Sequence, residues 1–270
     1  MDLNPIHIAV TGSNGFIGQE IMLWSNFPKQ FDIRICDSID QITELGSWGE
    51  GAVLLHLAGC FSGDHDVLWN SNVELTRKAL EYFSKVGGNR VIFLSTGAVY
   101  GTSAHLEGSR EDDLVKPANY YGFTKRLAEM VVEYDWGCNG YPYHILRLPN
   151  VYGERQRKGV IFQMRNRIQE QNSVLIEGNG EQRRDFLHIS DLLAAIERVV
   201  EYPEAVGIFN ISSHLSLTVN QLADQLTGGL NIRRDFGPDK NQLQELVLDI
   251  NKAKQQLEYL PKVNNLYLGV

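Results

Sequence analysis

Cysteine is scarce in this 270-residue chain: Cys36, Cys60 and Cys138 show neither an even count nor a CxxC spacing. That excludes a disulfide framework and a cysteine zinc site, and it fits thiols kept reduced, each expected to be buried and inert. Long apolar runs are also missing. The longest with a structural meaning, AVLLHLAGCF from Ala52 to Phe61, is far short of the roughly 20 residues of a membrane span and reads as a buried strand with its exit loop. The opening MDLNPIHIAVTG carries neither a basic leader nor a long apolar core before its first glycine, so no secretory signal is visible. These absences point to a cytoplasmic protein without a membrane partner or a metal site. Positive charge is in deficit: 25 Lys and Arg against 33 Asp and Glu give a formal charge of −8, which repels phosphate backbones and excludes non-specific nucleic-acid binding.

What is present is an ordinary globular composition, 43% hydrophobic and 21% charged, long enough for one large domain or two modest ones at roughly 150 residues each. IHIAV (6–10) reads as a strand, followed by a glycine turn and by FIGQEIMLWS, whose Phe16, Ile17, Ile21 and Trp24 fall at helical spacing. FDIRIC (31–36), AVLLHLAG (52–59) and RVIFLST (90–96) follow as apolar runs suited to strands covered on both faces. Between the last two, Leu68, Asn72, Leu75, Ala79, Phe83 and Val86 make a helical stripe that Gly87 and Gly88 stop, which predicts a helix over about 64–86. A helix over 122–134 leads to the strand YHILRL (143–148). This repeated β-α-β order predicts an α/β fold, a Rossmann-like doubly wound parallel sheet with its ligand beyond the carboxyl ends of the strands. After Asn150 the texture changes to charged clusters and short strands such as VLIEG (174–178) and GIFNIS (207–212). The expected division is 1–150 for the dinucleotide sheet and 151–270 for a smaller substrate-binding lobe, with elements near 185–202 returning to the sheet.

TGSNGFIG places Gly12, Gly15 and Gly18 at the first strand-to-helix turn. Gly12 allows the tight turn, Gly15 lets backbone N–H groups and the helix N-terminus approach a pyrophosphate, and Gly18 permits close helix-to-strand packing. Asp37, at the end of the second strand and 19 residues after Gly18, would accept hydrogen bonds from ribose hydroxyls and repel a 2′-phosphate, favouring NAD over NADP. Arg34 nearby tempers that preference. A phosphate-binding P-loop is excluded because no GK[ST] follows. Tyr121 and Lys125 in YYGFTK are four apart, sharing one face of a helix, where a lysine charge would lower the phenol pKa and make Tyr121 a general base. Taken alone this spacing is common. It gains weight from STGAVYG (95–101), which puts Thr96 at the carboxyl end of a strand.

TGSNGFIG, HLAG (56–59), STGAVYG, YYGFTK, RLPNVYG (147–153) and RRDFLHISD (183–191), in this order, resemble the extended short-chain dehydrogenase/reductase family, the NAD-dependent epimerases and dehydratases of nucleotide sugars. LDINKAKQQLEYLP (248–261) is similar to the family's closing helix, so the resemblance covers nearly the whole chain. It implies NAD as cofactor, a nucleotide sugar as substrate, and Thr96, Tyr121 and Lys125 as catalytic residues. Thr96 would hydrogen-bond the reacting sugar oxygen, Tyr121 would exchange its proton, and Lys125 would hold the nicotinamide ribose. The resemblance puts Asn14, Phe16 and Ile17 beside the three glycines at the cofactor, together with Leu57, Ala58, Gly59 and Pro149. Asn150 would contact the substrate phosphates, and Arg184, more than Arg183, would clamp them, a guanidinium being suited to bidentate phosphate contacts. A solvated arginine pair is the plainer alternative. His56 and His188 are expected to be structural, and Asn72 to brace the active-site loop.

Two departures narrow the implication. Family members that dehydrate sugars carry an acidic pair directly after the catalytic Ser or Thr, where this chain has Gly97 and Ala98, so dehydration is disfavoured. What remains is a nucleotide-sugar epimerase, foremost at carbon 4 of a UDP-sugar, with a reductase of a nucleotide 4-keto-6-deoxy sugar as the alternative and a non-catalytic dinucleotide sensor outside both. The second is the connection from Asp37 to His56, where 18 residues leave little room for the family's additional strand and adenine-contacting Asp, for which Asp40 is the substitute at hand. The helix over 64–86 and the one carrying Tyr121 resemble the pair that builds a four-helix interface in the family, implying a homodimer.

Overall fold

The computed structural model describes residues 6–24, 31–44, 46, 48, 51–103, 105, 107–213, 215–238 and 245–266. β1 (Ile6–Thr11) turns through the glycine loop into α1 (Phe16–Leu23), followed by β2 (Phe31–Cys36), the single-turn α2 (Gln41–Glu44) and β3 (Val53–His56). α3 (His65–Trp69) and α4 (Leu75–Lys85) are joined by a five-residue π-turn, Asn70–Glu74, and lead into β4 (Arg90–Thr96), α5 (Tyr120–Asp135) and β5 (Tyr143–Leu148). β6 (Asn150–Tyr152), α6 (Val160–Gln171), β7 (Ser173–Glu177), β8 (Arg183–His188), α7 (Ile189–Glu201) and β9 (Gly207–Asn210) come next. The chain closes with β10 (Ser216–Thr218), α8 (Val219–Thr227), β11 (Arg233–Gly237), β12 (Glu245–Leu246) and α9 (Asn251–Gln256).

Six strands form one parallel sheet in the order β2-β1-β3-β4-β5-β9. Alternation within each strand sorts side chains between two helix layers. Ile8, Val10, Val53, Leu55, Ile92 and Leu94 pack with Leu192, Leu193, Ile196 and Val199 of α7. Ala9, Leu54, Val91, Phe93 and Ile145 face the other way, against Ala79, Leu80 and Phe83 of α4 and Ala128 and Val132 of α5. Both faces are therefore covered, which is why these strands read as continuous apolar runs. Burying each large side chain contributes roughly 1.5–3 kcal/mol, so the sheet holds its strand ends in fixed register. Polar contacts add to this: Trp24 Nε1 donates to Glu197 at 2.7 Å, tying α1 to α7, and the Arg90 guanidinium donates to the Val199 and Val200 carbonyls at the end of α7.

The strand order reverses between β2-β1 and β1-β3, which opens a crevice at the carboxyl ends of β1 and β3. Beyond it, β8 is flanked by β10, β12 and β6, β7 pairs with β11, and Tyr152, Ile161, Met164, Val174, Phe186 and Leu222 form a separate apolar cluster.

The short connection after Asp37 is seen directly, and two expectations change. Between Asp37 and β3 the only regular element among the described residues is α2, so β2 lies at the outer edge of the sheet, as the short connection requires. The closing helix is not 248–261 but Asn251–Gln256: Glu258 takes φ +50, a left-handed conformation that breaks the helix and lets both Leu257 and Tyr259 turn into the core. Of the cysteines, only Cys36 is buried; Cys60 is half-buried in a loop and Cys138 is exposed in the short turn after α5. No helix among the described residues is long and apolar enough to cross a membrane.

Candidate active site

The crevice is walled by backbone that only glycine permits. Gly12 has φ +78, and a Cβ there would lie 2.6 Å from the Ala58 nitrogen, so the glycine loop and the HLAG loop touch main chain to main chain. At Gly18 a Cβ would sit 2.5 Å from Ser13 Cα, which is why α1 can start so close under its own loop. Gly15 caps α1 without a side-chain acceptor, so the first helical N–H groups, beginning at Phe16 and Ile17, have no side-chain cap. Uncapped N–H groups at the positive end of a helix suit an anion such as a pyrophosphate. Asp37 is exposed at the end of β2; its Oδ1 accepts from Ser13 Oγ at 2.5 Å and from Asn14 Nδ2 at 3.4 Å. Gln41 Oε1 holds the backbone N–H groups of Asp37 and Ser38. Asp40, the substitute considered for adenine, is exposed just before α2, and its backbone carbonyl accepts from the Thr43 and Glu44 N–H groups. Cradle, uncapped helix and ribose-height carboxylate fit a dinucleotide.

The HLAG loop is fixed from beneath. His56 is buried, with its ring nitrogens on Thr11 Oγ1 (2.7 Å) and Thr76 Oγ1 (3.1 Å), and burial, reinforced by the charge of Lys125, pushes its pKa down to about 3. A histidine held neutral between two hydroxyls is structural. His188 likewise caps α7, its ring accepting from the Ser190 N–H. Asn72 braces the loop through three bonds: its Oδ1 accepts from the Cys60 N–H at 2.9 Å, and its Nδ2 donates to the Cys60 carbonyl and to Thr124 Oγ1. It lies in the π-turn, where Asn72 and Val73 are both buried, and this turn interrupts the single helix expected over 64–86.

Thr96 ends β4 and its hydroxyl accepts from the Ala98 N–H at 3.2 Å, closing the turn Gly97–Val99. Asn119 caps α5 by accepting from the Gly122 N–H at 2.8 Å, and at Gly122 a Cβ would lie 2.7 Å from the Ala98 carbonyl. The start of α5 thus presses against the Thr96 turn, bringing the Tyr121 phenol within reach of the Thr96 hydroxyl. One turn along α5, the Lys125 ammonium donates to the Leu94 carbonyl at 2.7 Å and lies 4.0 Å over the Phe93 ring. The expected depression of the phenol pKa by Lys125 is corrected here: burial raises Tyr121 above the ordinary tyrosine value, the Thr96 hydroxyl pulling it back, and Cys60 adds to the rise. Burial also brings Lys125 down to about 7, against the opposing pull of Glu129.

Pro149 is buried between β5 and β6. Asn150 and Arg184 stand on neighbouring strands, β6 and β8, of the second sheet. Asn150 Nδ2 reaches the Asp185 carbonyl at 3.3 Å, and the buried Arg184 donates to the Arg183 carbonyl at 2.7 Å, while Arg183 donates to Ser216. Sequence reasoning missed a buried cluster behind the site. The Glu129 carboxylate accepts from Ser95 Oγ (2.5 Å), Arg147 Nε (3.0 Å) and Nη2 (2.8 Å), and Arg126 Nη1 (3.0 Å). The signal was there as an arginine inside the apolar strand YHILRL and a carboxylate four residues after Lys125.

Comparison with known proteins decides the family. Residues 40–212, well over half of the chain, match the model of the NAD dependent epimerase/dehydratase family. The chain belongs to this family. Its glycine loop and Asp37 precede the matched segment, so their assignment rests on the geometry above. Among curated relatives, a putative UDP-glucose 4-epimerase of Methanocaldococcus jannaschii is 27% identical, covering 95% of this chain and 94% of that protein. A dTDP-4-dehydro-6-deoxyglucose reductase of Escherichia coli is 30% identical, covering 97% and 95%. The alignment with the first runs over 297 residues, more than this chain contains, so that relative carries residues missing here. The crystal structure of a UDP-glucose 4-epimerase of Thermotoga maritima superposes with a TM-score of 0.82 at 27% identity, covering 96% of this chain and 94% of that one. Nucleotide-sugar chemistry of the epimerase/dehydratase type follows from this membership.

Proposed function

We propose that this protein is a nucleotide-sugar epimerase, acting at carbon 4 of a UDP-sugar with NAD held in the crevice between β1 and β3. The observation that carries the reading is the Thr96–Tyr121 pair, brought together where α5 starts against the turn after β4, with Lys125 one turn beyond. NAD, when bound, supplies a ring that accepts a hydride and returns it. Around it the chain's residues do the rest. The Phe16 and Ile17 N–H groups and the glycine loop bind the pyrophosphate; Asp37 takes ribose hydroxyls and disfavours a 2′-phosphate; Leu57, Ala58, Gly59 and Pro149 line the cleft. Thr96 orients the sugar hydroxyl, and the Tyr121 oxygen takes its proton as the sugar carbon is oxidised, then returns one on reduction. Lys125 holds the nicotinamide ribose. Arg184 and Asn150 would meet the diphosphate after a change of rotamer.

Dehydration is disfavoured by packing as well as by composition. A Cβ at Gly97 would lie 3.0 Å from Leu248 Cδ2 and 3.3 Å from Leu246 Cδ1, so the position after Thr96 faces apolar side chains and offers no acid to a leaving hydroxyl. A second reading, reduction of a dTDP-4-keto-6-deoxy sugar, is favoured by the 30% identity to such a reductase, because the same Thr, Tyr and Lys serve one direction of hydride transfer. The test is to denature purified protein, identify the released dinucleotide, and assay UDP-, dTDP-, CDP- and GDP-sugars. Stoichiometric NAD with equilibration of two stereoisomers supports the epimerase; obligatory consumption of a reduced dinucleotide supports the reductase. We also propose a homodimer, supported by the apolar residues Val67 and Trp69 of α3 and Phe123, Met130 and Tyr134 of α5, all exposed.

A further inference from the structure

The carboxylate at the end of β2 is held by the glycine loop's own side chains. Parallel pairing of β1 with β2 sets Thr11 opposite Cys36, so the turn after one strand meets the end of the other. Ser13 is 7% exposed, and its hydroxyl donates to Asp37 Oδ1 at 2.5 Å. Asn14 Nδ2 adds a longer bond to the same oxygen at 3.4 Å. A hydrogen bond to a carboxylate is among the stronger kinds, and the short Ser13 bond is the one with good geometry.

Both partners have fixed backbones. Gly18 of α1 lies so close under Ser13 that a Cβ there would sit 2.5 Å from Ser13 Cα and 2.7 Å from its carbonyl oxygen. The N–H groups of Asp37 and Ser38 donate to Gln41 Oε1 at 2.6 and 3.2 Å, so the main chain of Asp37 is held from α2. An exposed aspartate with a fixed main chain keeps only rotation about its side-chain bonds, and the Ser13 hydroxyl selects one setting of that rotation. Arg34, the cation nearest to Asp37 in sequence, is engaged elsewhere: it donates to Asp32 at 2.9 Å and lies 5.1 Å over the Trp48 ring.

Resting on the reading that Asp37 meets the adenosine ribose, we propose that Ser13 is a positioning residue that sets the choice between NAD and NADP. Its hydroxyl pins Oδ1 to the glycine loop and assigns Oδ2 to the ribose. The negative charge then stays where the 2′-hydroxyl of NAD donates to it and the 2′-phosphate of NADP meets like charge. The bond also joins two parts of the cradle. Ser13 stands between Gly12 and the start of α1, so the ribose acceptor keeps its distance from the pyrophosphate site. Without the hydroxyl, Asp37 rotates towards solvent, NAD loses a hydrogen bond and NADP is relieved of repulsion. Discrimination falls from both sides.

The test needs no turnover. Full-length protein is dialysed to equilibrium against NAD with NADP in an excess at which the wild type binds both; it is then denatured and the two released dinucleotides are quantified. In Ser13→Ala the bound NAD-to-NADP ratio is expected to fall at least about threefold from the wild type, and in Asp37→Asn by as much or more. Adding S13A to D37N is expected to leave the D37N ratio within about twofold, because the hydroxyl acts only through the carboxylate. A smaller fall in S13A while D37N lowers the ratio, including a loss of both dinucleotides in equal proportion, overturns the proposal. So does an S13A effect that persists in full in the D37N background. If S13A does not fold, Ser13→Gly, which also removes the hydroxyl, decides by the same ratio. A ratio unmoved in D37N instead removes the reading that Asp37 meets the ribose, and the role of Ser13 falls with it.

Discussion

At the residue scale the site divides into groups that touch the reacting atoms and groups that shape the space for them. On the proposed mechanism, Tyr121→Phe removes the proton acceptor and leaves the ring, the α5 cap and the Thr96 turn in place. Turnover is expected to fall by about 10²–10⁴, with bound dinucleotide retained, as measured by sugar turnover and by dinucleotide released on denaturation. Gly12→Ala strikes the cradle instead: at φ +78 its methyl would lie 2.6 Å from the Ala58 nitrogen. The expected outcome is loss of NAD binding, read by the absorbance of dinucleotide carried through purification, together with a fall in melting temperature. These residues were legible in the sequence because glycines on one turn and a Tyr–Lys pair on one helix declare themselves within eight residues. Ser95, Glu129 and Arg147 were not, since their meeting depends on α5 folding back over two strands, and no local spacing encodes it. Arg184, read as a phosphate clamp and kept in that role in the proposal, donates one of its guanidinium nitrogens to the Arg183 carbonyl.

At the element scale, the sheet carries a histidine whose protonation the fold opposes. His144 on β5 is fully buried and stacks on Phe209 with ring centroids 6.4 Å apart; burial, reinforced by Arg90, pushes its pKa down to about 3. An unfolded histidine takes up a proton below about pH 6.5, so the stability contributed by the neutral ring is present above that value and is lost as pH falls towards the folded pKa. His56 behaves alike. His144→Phe removes one of the two, and urea unfolding at pH 8 and pH 5 is expected to show a smaller acid loss than the wild type by about 1–2 kcal/mol. The strands and their faces were legible from alternation. The end of the last helix was not, because Glu258 breaks it to bury Leu257 and Tyr259, a tertiary demand that overrides helical spacing.

For the whole molecule, 270 residues allow one large domain or two modest ones. The order β2-β1-β3-β4-β5-β9 uses chain from both ends of the fold, since β9 and α7 return to a sheet begun by β1. The shortage of residues falls where the sequence suggested, between Asp37 and β3, and it leaves β2 at the margin. The apolar row on α3 and α5 belongs to the same scale. Phe123, Met130 and Tyr134 recur on one side of α5, 44%, 49% and 71% exposed. If two copies join there, Met130→Asp with Tyr134→Asp is expected to halve the mass seen by light scattering at micromolar concentration, with the far-ultraviolet circular dichroism unchanged. A wild type that is already monomeric removes the dimer.

The π-turn at Asn70–Glu74 carries a further consequence, best put in terms of chain length. A π-turn is a helix with one residue too many, and the surplus rotates everything before it by about 100° relative to everything after. Deleting Ser71 would let α3 and α4 fuse into a single regular helix, a change the backbone would welcome, since the ordinary hydrogen-bond ladder would run unbroken. What it would remove is the aim of Asn72 at the Cys60 loop. The surplus residue thus behaves as an insertion kept for the loop it points at, and the shortened protein, without the three bonds of the buried Asn72, is expected to turn over sugar more slowly.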